Sequence, residues 1–242
     1  MKKLLGIAAL LAFSAVITPA SAAVNDSARA DVVSINDPYE SYNRYIFSFN
    51  QGADKYFLRP IASGYRYITP DPLRERLGHF SDNMNEPLSM VNSFFQGDFE
   101  RGMKTFWRFM INSTFGIGGL NDVATSAGIP AQEEDFGQTL AVWGFSQGDY
   151  FVLPLFGPST ARDGVGIVGN WLTNPVSWAL INEGFVQFGI GVGQAVIVRE
   201  RFLDPIDDIN DSSLDPYITY RSIYLQRRDA EIHNRNSAMP DF

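Results

Sequence analysis

The chain has 242 residues, 45% of them apolar, 14% aromatic and only 19% charged, so it can bury a large core and is not intrinsically disordered. Its formal net charge of −8 excludes a general nucleic-acid binder, which needs a basic face to meet phosphates. With no cysteine, disulfides, thiolate nucleophiles, Cys-ligated zinc and iron–sulfur clusters are excluded, and the two histidines, His79 and His233, leave little for any other metal site.

The N-terminus reads as an export signal. Lys2-Lys3 is a short basic region, Leu4 to Ile17 is an apolar run of 14 residues, and Ala20-Ser21-Ala22 is a small-x-small cleavage site. Fourteen residues are too few for a stable spanning helix. Residues 1–22 are therefore expected to be removed near Ala22, and 23–36 to form a flexible lead-in. Loss of two lysines with the leader takes the net charge to −10. Without a cysteine at the cleavage site, no N-terminal lipid anchor is expected.

The mature chain distributes its charge unevenly. Residues 23–108 hold 21 charged side chains and 199–242 hold 15, whereas 109–198 hold eight. Across 164–198, Glu183 is the one charge, yet Pro175 and seven glycines interrupt the apolar run. No ordinary spanning helix is expected there, and a fully buried helix pair is the alternative.

The fold proper is expected to start at Asp37, with Asp37 as cap, Pro38 in the first turn and Glu40 behind it. Tyr39, Tyr42, Ile46, Phe49, Ala53 and Tyr56 recur at helical spacing, and Arg59-Pro60 ends or redirects the helix. A second helical block runs from about Asn85, with Leu88, Val91, Phe95, Phe99, Gly102, Phe106 and Phe109 on one face. Gly97-Asp98 splits it, the glycine ending one helix and the aspartate capping the next. Residues 113–130 are glycine-rich and irregular. Over 138–157, Leu140, Val142 and Phe151 suggest short extended pieces around Gly148, with Pro154 and Pro158 favouring a hairpin-like loop. Asp215-Pro216-Tyr217 repeats the first start signal and opens a last helix. The tail from about 234 is polar. A single helical domain over 37–233 follows.

Several patterns offer chemistry and fall short of it. Gly144-Phe145-Ser146-Gln147-Gly148 fits the G-x-S-x-G elbow of serine hydrolases, with His233 as a candidate base. Pro154 and Pro158 stand where the elbow helix should run, and no strand–helix alternation predicts a parallel sheet. Gly116-Ile117-Gly118-Gly119 lacks the ending of a phosphate loop. Asp204, Asp207, Asp208, Asn210, Asp211 and Asp215 lack the central glycine and twelfth-position Glu of a calcium loop. No cofactor and no metal are expected.

Taken in order, these stretches resemble the MlaA/VacJ family of outer-membrane phospholipid transport proteins. The resemblance rests on Asn36 to Glu40, Tyr42-Asn43-Arg44, Phe49-Asn50 and Leu58-Arg59-Pro60. It continues through Asn85-Glu86-Pro87, Met90-Val91-Asn92, Gln96-Gly97-Asp98 and Arg108-Phe109. Then come Asn112-Ser113-Thr114, Gly116 to Leu120, Asp122-Val123-Ala124 and Glu134 to Leu140. The last are Leu153-Pro154, Gly157-Pro158, Arg162-Asp163, Asp215-Pro216-Tyr217 and Tyr224 to Arg228.

The resemblance implies a mainly α fold: a ring of amphipathic helices embedded in one leaflet, with a short irregular hairpin-like segment. It implies non-enzymatic retrograde transport. Misplaced outer-leaflet phospholipid descends a central amphipathic channel at the periplasmic leaflet of the outer membrane. Its partners would be phospholipid, an outer-membrane porin trimer and a soluble periplasmic phospholipid carrier. Phe49, Asn50, Phe136, Leu140, Trp143, Gly148 and Phe151 are taken as the channel or gating neighbourhood, with 136–157 as the loop beside it. Many relatives carry a lipobox cysteine that this chain lacks. The rivals are a periplasmic serine esterase using Ser146, and an envelope scaffold that only binds a porin.

Overall fold

Helix α1 (Glu40–Ala53) opens the part of the chain that the computed structural model describes, residues 37–233. The expected leader, lead-in and polar tail lie outside the described residues. Asp37-Pro38 is not the helix cap that the sequence suggests. Pro38 and Tyr39 form a turn, and the Asp37 carboxylate instead accepts from Asn43 Nδ2 at 2.8 Å, Arg221 Nη1 at 2.9 Å and the Tyr217 hydroxyl. A cap contributes about 1 kcal/mol, and a partly buried charged contact outcompetes it.

Pro60 does not end the helix. Asp54–Leu58 widens into a π-helical turn, and α2 (Arg59–Ile68) continues from it. A proline ring clashes with the carbonyl four residues back, and the wider turn moves that carbonyl aside. Helix α3 (Asp71–Phe95) starts well before the expected Asn85 and takes Pro87 into its interior. Its first half carries Leu73, Leu77, Phe80 and Met84 at helical spacing, a rhythm that the expected start at Asn85 passed over. Gly97 turns left-handed at φ +80, and Asp98 caps α4 (Phe99–Thr114) by accepting from Arg101 N–H at 2.9 Å. The split expected at Gly97-Asp98 is therefore present.

After α5 (Val123–Ser126), residues 136–142 are helical rather than extended. Leu140 and Val142 lie in α6 (Phe136–Val142), because Asp135 caps it by accepting from Gln138 N–H at 2.8 Å. The hairpin is correspondingly later and shorter: β1 (Tyr150–Leu153) and β2 (Gly157–Thr160) pair antiparallel, Tyr150 opposite Thr160 and Leu153 opposite Gly157. Helices α7 (Ala161–Thr173), α8 (Pro175–Ala179), α9 (Gly184–Arg201), α10 (Leu203–Ser212) and α11 (Pro216–Ile232) complete the chain. Asp215 does cap α11, accepting from Ile218 N–H at 3.4 Å.

What the helices bury is the reverse of a water-soluble bundle. Among the described residues, eight apolar side chains are buried against 21 polar or charged ones, while 35 large apolar side chains are exposed. Helix α4 shows the inversion within one element. It buries Gly102, Thr105, Arg108 and Asn112, and exposes Phe99, Met103, Trp107 and Met110. Helix α7 likewise buries Arg162, Asp163, Gly166 and Gly169 and exposes Val165, Val168 and Leu172. The aromatic stripe of α1 buries Ile46 but leaves Tyr42, Phe49 and Tyr39 exposed. The one apolar cluster joins Ile46, Tyr150, Val152 and Tyr217 where the hairpin meets α1 and α11. The low-charge stretch 164–198 is thus neither a buried pair nor a span. Its apolar side chains Trp171, Trp178, Phe185 and Phe188 are exposed, and no helix among the described residues is long and apolar enough to cross a membrane.

Candidate functional site

Two asparagines hold the hairpin. Asn43 and Asn50 stand two turns apart on α1 and so share a face. Asn43 Nδ2 donates to the Tyr150 carbonyl at 3.1 Å, and its Oδ1 accepts from Val152 N–H at 2.8 Å. Asn50 repeats the clip on the Leu153 carbonyl at 2.9 Å and the Leu155 N–H at 2.8 Å. A carboxamide presents one donor and one acceptor side by side, as an adjacent strand would. The outer edge of β1 is thereby satisfied without a third strand. Stacking of Tyr39 on Phe151 at 4.8 Å adds to the same seam.

Beside buried pairs such as Arg199–Asp54 and Arg74–Glu200, three charged knots lie in the part of the interior around α3, α4, α6, α7 and α11. In the first, Arg108 donates to Glu86, to Asp122 at 2.6 Å and to the Ile129 carbonyl at 2.6 Å, joining α3, α4 and α5. Burial pushes the Glu86 carboxyl up to about 7 in spite of Arg108. Burial would also raise Asp122, but hydrogen bonds from Thr125, Arg108 and Asn112 hold it well below the usual carboxylate range. One guanidinium between a reluctant and a willing carboxylate leaves the knot near neutrality. In the second knot, Arg101 and Gln96 hold Glu134, and Gln96 also reaches Thr139 at 3.3 Å.

The third knot ties α11 to α6 and α7. Arg228 donates twice to Asp135 at 2.7 Å and to Asp163 at 3.0 and 3.1 Å, and Tyr224 donates to Asp163 at 2.6 Å. Burial opposes the Asp163 charge, yet these donors lower its pKa. The glycines beside it are required by space. A Cβ on Gly137 would stand 2.5 Å from Arg228 Nη2, and one on Gly166 would stand 2.7 Å from the Gly137 nitrogen.

Beside this third knot lies a cavity of about 530 Å³, walled by α3, α6, α7, β2 and α11. That volume is in the range of small-ligand sites. Its wall mixes charged groups (Glu133, Arg227, Glu231) with apolar ones (Leu88, Ile167, Pro158). Asn85 lines it and also lines a second cavity of about 180 Å³ between α3, α8 and α9. The two spaces therefore meet at one side chain. Burial raises the Glu133 carboxyl, partly offset by Arg227. Among the described residues no group of three or more His, Cys, Asp or Glu is arranged to hold a metal.

None of the seven residues singled out from the sequence lines either cavity. They fall into two groups. Phe136 and Trp143 meet edge-on at 5.8 Å, Trp143 Nε1 donates to the Phe95 carbonyl at 2.9 Å, and Leu140 is buried in the same helix. Asn50 and Phe151 lie on the α1–hairpin seam, and Phe49, also on α1, is exposed. Gly148 leads into β1 at φ +69, and a Cβ there would come within 2.8 Å of Ala161 Cβ. The Ser146 pentapeptide connects a helix to a strand, the opposite order to the hydrolase elbow. Sequence reasoning passed over Asn85, Glu133 and Arg227. Asn85 opens the Asn-Glu-Pro motif, but nothing in the linear pattern shows that it faces a cavity.

A family model for the MlaA lipoprotein matches residues 35–231. The chain belongs to the MlaA family. It is 37% identical over 208 residues to the intermembrane phospholipid transport system lipoprotein MlaA of Escherichia coli strain K12, covering 80% of this chain and 77% of that protein. The Haemophilus influenzae lipoprotein of the same name is 31% identical over 234 residues, covering 90% and 89%. An uncharacterised Rickettsia felis protein is 39% identical over 201 residues, covering 82% and 78%. A solved chain from work on the structural basis for maintenance of bacterial outer membrane lipid asymmetry superimposes with a TM-score of 0.70. It is 38% identical and covers 81% of this chain and 99% of that one. The mainly helical architecture with one two-stranded hairpin is thus the MlaA fold. The stretches that carry the resemblance hold the two hairpin clips, Asn43 and Asn50, and the knot residues Glu86, Arg108, Asp122, Asp135, Asp163 and Arg228.

Proposed function

We propose that this protein removes misplaced phospholipid from the outer leaflet of the outer membrane and passes it inward, maintaining lipid asymmetry without covalent chemistry. The observation that carries this reading is the inversion of the fold. A polar, charge-laced interior inside a sheath of exposed aromatic and aliphatic side chains suits a protein surrounded by acyl chains. The described helices are too short or too polar to span, and in this reading they lie within one leaflet, at the periplasmic side. Irregular backbone and glycine at that depth are tolerable when they line a wet cavity or are buried in protein. The lipid travels through a central amphipathic channel to a soluble periplasmic carrier, and an outer-membrane porin trimer is the membrane partner. The names of the Escherichia coli and Haemophilus influenzae relatives support the transport assignment.

Phe49, Asn50, Phe136, Leu140, Trp143, Gly148 and Phe151 surround the channel or its gate in this reading. The hairpin is the moving part, held by the two asparagine clips. Gly148→Pro tests this, because its positive φ is closed to proline. Lipid flux should change, and unchanged outer-leaflet lipid counts against gating.

The deciding experiment measures outer-leaflet phospholipid in cells lacking the protein, complemented with wild type or Ser146→Ala. Exposure should rise on deletion and be restored by both. Restoration by wild type alone, at equal expression, returns the esterase reading. No change on deletion returns the scaffold reading. The protein should also stay in the outer-membrane fraction after a high-salt wash, and release would point to loose attachment.

A further inference from the structure

Glu133 and Arg227 are the charged cavity-wall groups least committed elsewhere. Glu134, Asp135, Asp163 and Arg228 are all tied into the buried knots. Glu133 stands immediately before Glu134 and keeps contact with solvent; its backbone carbonyl accepts from Gln138 Nε2 at 3.2 Å, while its carboxylate is tied into none of the knots. Arg227, one turn from the end of α11, is half-exposed, and Glu231 at 2.7 Å is its ion-pair partner. The cavity thus offers one uncommitted anion and one exchangeable cation, with Leu88, Ile167 and Pro158 on the same wall.

We propose that this cavity is a headgroup chamber that prefers a zwitterionic aminoalkyl phosphodiester, Glu133 receiving its ammonium and Arg227 its phosphate. The inference rests on the transport reading and names the lipid class that the path favours. A guanidinium offers a planar fork to phosphate oxygens, while a carboxylate accepts from an ammonium. Arg227, itself half-exposed, exchanges one carboxylate, Glu231, for the phosphate, and Glu231 keeps Arg228 at 3.0 Å as a partner, so the cost of releasing it is small. A headgroup with a glycerol in place of the amine leaves Glu133 beside a neutral hydroxyl and close to the phosphate charge, which disfavours it. Asn85 then marks the passage from this chamber to the smaller space between α3, α8 and α9, whose wall includes Leu180, Ile190 and Val176. The headgroup-sized space thereby adjoins a smaller one of mixed lining.

The test uses the purified full-length protein in detergent, exchanged with equimolar phosphatidylethanolamine and phosphatidylglycerol of matched chains, the retained lipid being read by mass spectrometry. Wild type should enrich the ethanolamine lipid about threefold, the effect of one exposed ion pair. Glu133→Gln should return the ratio to the input, and Arg227→Gln should lower retention of both lipids. A wild-type ratio at the input value overturns the proposal, as does a ratio unchanged by Glu133→Gln. Neither variant removes a link of the three knots, so both should fold. Glycerophosphoethanolamine should compete weakly; binding as tight as the lipid's would point to a soluble phosphodiester instead. Failure here with outer-leaflet lipid still rising on deletion leaves transport intact and removes only the headgroup preference. No lipid retained and no cellular effect removes both.

Discussion

The two faces of α4 are opposite in character. One face, at Arg108 and Asn112, sits in a hydrogen-bonded knot with Glu86 and Asp122, while the other, at Trp107 and Met103, is exposed. The same split separates the buried face of α7 from its valines and leucine, and the Arg199 end of α9 from the exposed Phe185 and Phe188. The interior is specified by directional, paired contacts. The exterior is specified by little beyond being apolar. Interior substitutions should therefore act on folding, and exterior ones on where the protein resides.

The largest effect is expected at Arg108. Arg108→Met strands the buried Glu86 carboxylate and takes one donor from Asp122, and should cost about 3–5 kcal/mol, read as the shift in chemical unfolding in detergent. Adding Glu86→Gln should recover part of it, and no recovery would mean that the guanidinium acts through packing alone. Next is Asn43→Leu, which removes both partners of a buried strand edge and should cost about 2–3 kcal/mol. Its thermal midpoint should fall while that of Phe49→Ser scarcely moves. Gly166→Ala drives a methyl into the backbone of Gly137. The penalty should be about 1–3 kcal/mol, accompanied by weaker contact between α6 and α7 in hydrogen exchange.

Acidity sharpens the same contrast. The Glu86 carboxyl is raised above its unfolded value, so the folded state binds that proton more tightly. Its contribution to stability is fully present below the ordinary value of 4.5 and is lost as pH rises through about 7. Glu86→Gln should flatten the stability profile across that window; an identical slope would assign it to another group. The smallest change in folding belongs to the exterior. Phe185, 90% exposed, should tolerate Ser within about 0.5 kcal/mol. Its partition into lipid vesicles should nonetheless weaken, and equal partition would mean that this face of α9 does not meet the membrane.

The repeated Asp-Pro-Tyr signal shows how far local sequence reaches. At Asp215 it caps a helix as its chemistry suggests. At Asp37 the same three residues form a turn, because Asn43, Tyr217 and Arg221, distant or around the next bend, claim the carboxylate. Leu140 and Val142 alternate like a strand over too few residues to decide, and the Asp135 cap makes them helical. The first half of α3 has an apolar rhythm in Leu73, Leu77, Phe80 and Met84, yet the positions it buries are Gly78, Ser81 and Asn83, while Leu73 and Phe80 are exposed.

Helical spacing, the Gly97-Asp98 break, the absence of a spanning run and the family itself were legible from the sequence, because spacing, capping chemistry and motif order are properties of the linear chain. Which side of each stripe faces outward was not. A stripe of Phe and Trp has the same period whether it meets a core or lipid, and a stripe of Gly, Thr, Asn and Arg reads as solvated surface until its partners arrive. Only the tertiary structure brought Arg228 to Asp135 and Asp163, clipped β1 to Asn43 and Asn50, and opened the cavity beside Glu133 and Arg227. Those contacts join residues from 65 to 109 positions apart, and their energy depends on distance and burial, which the sequence does not contain.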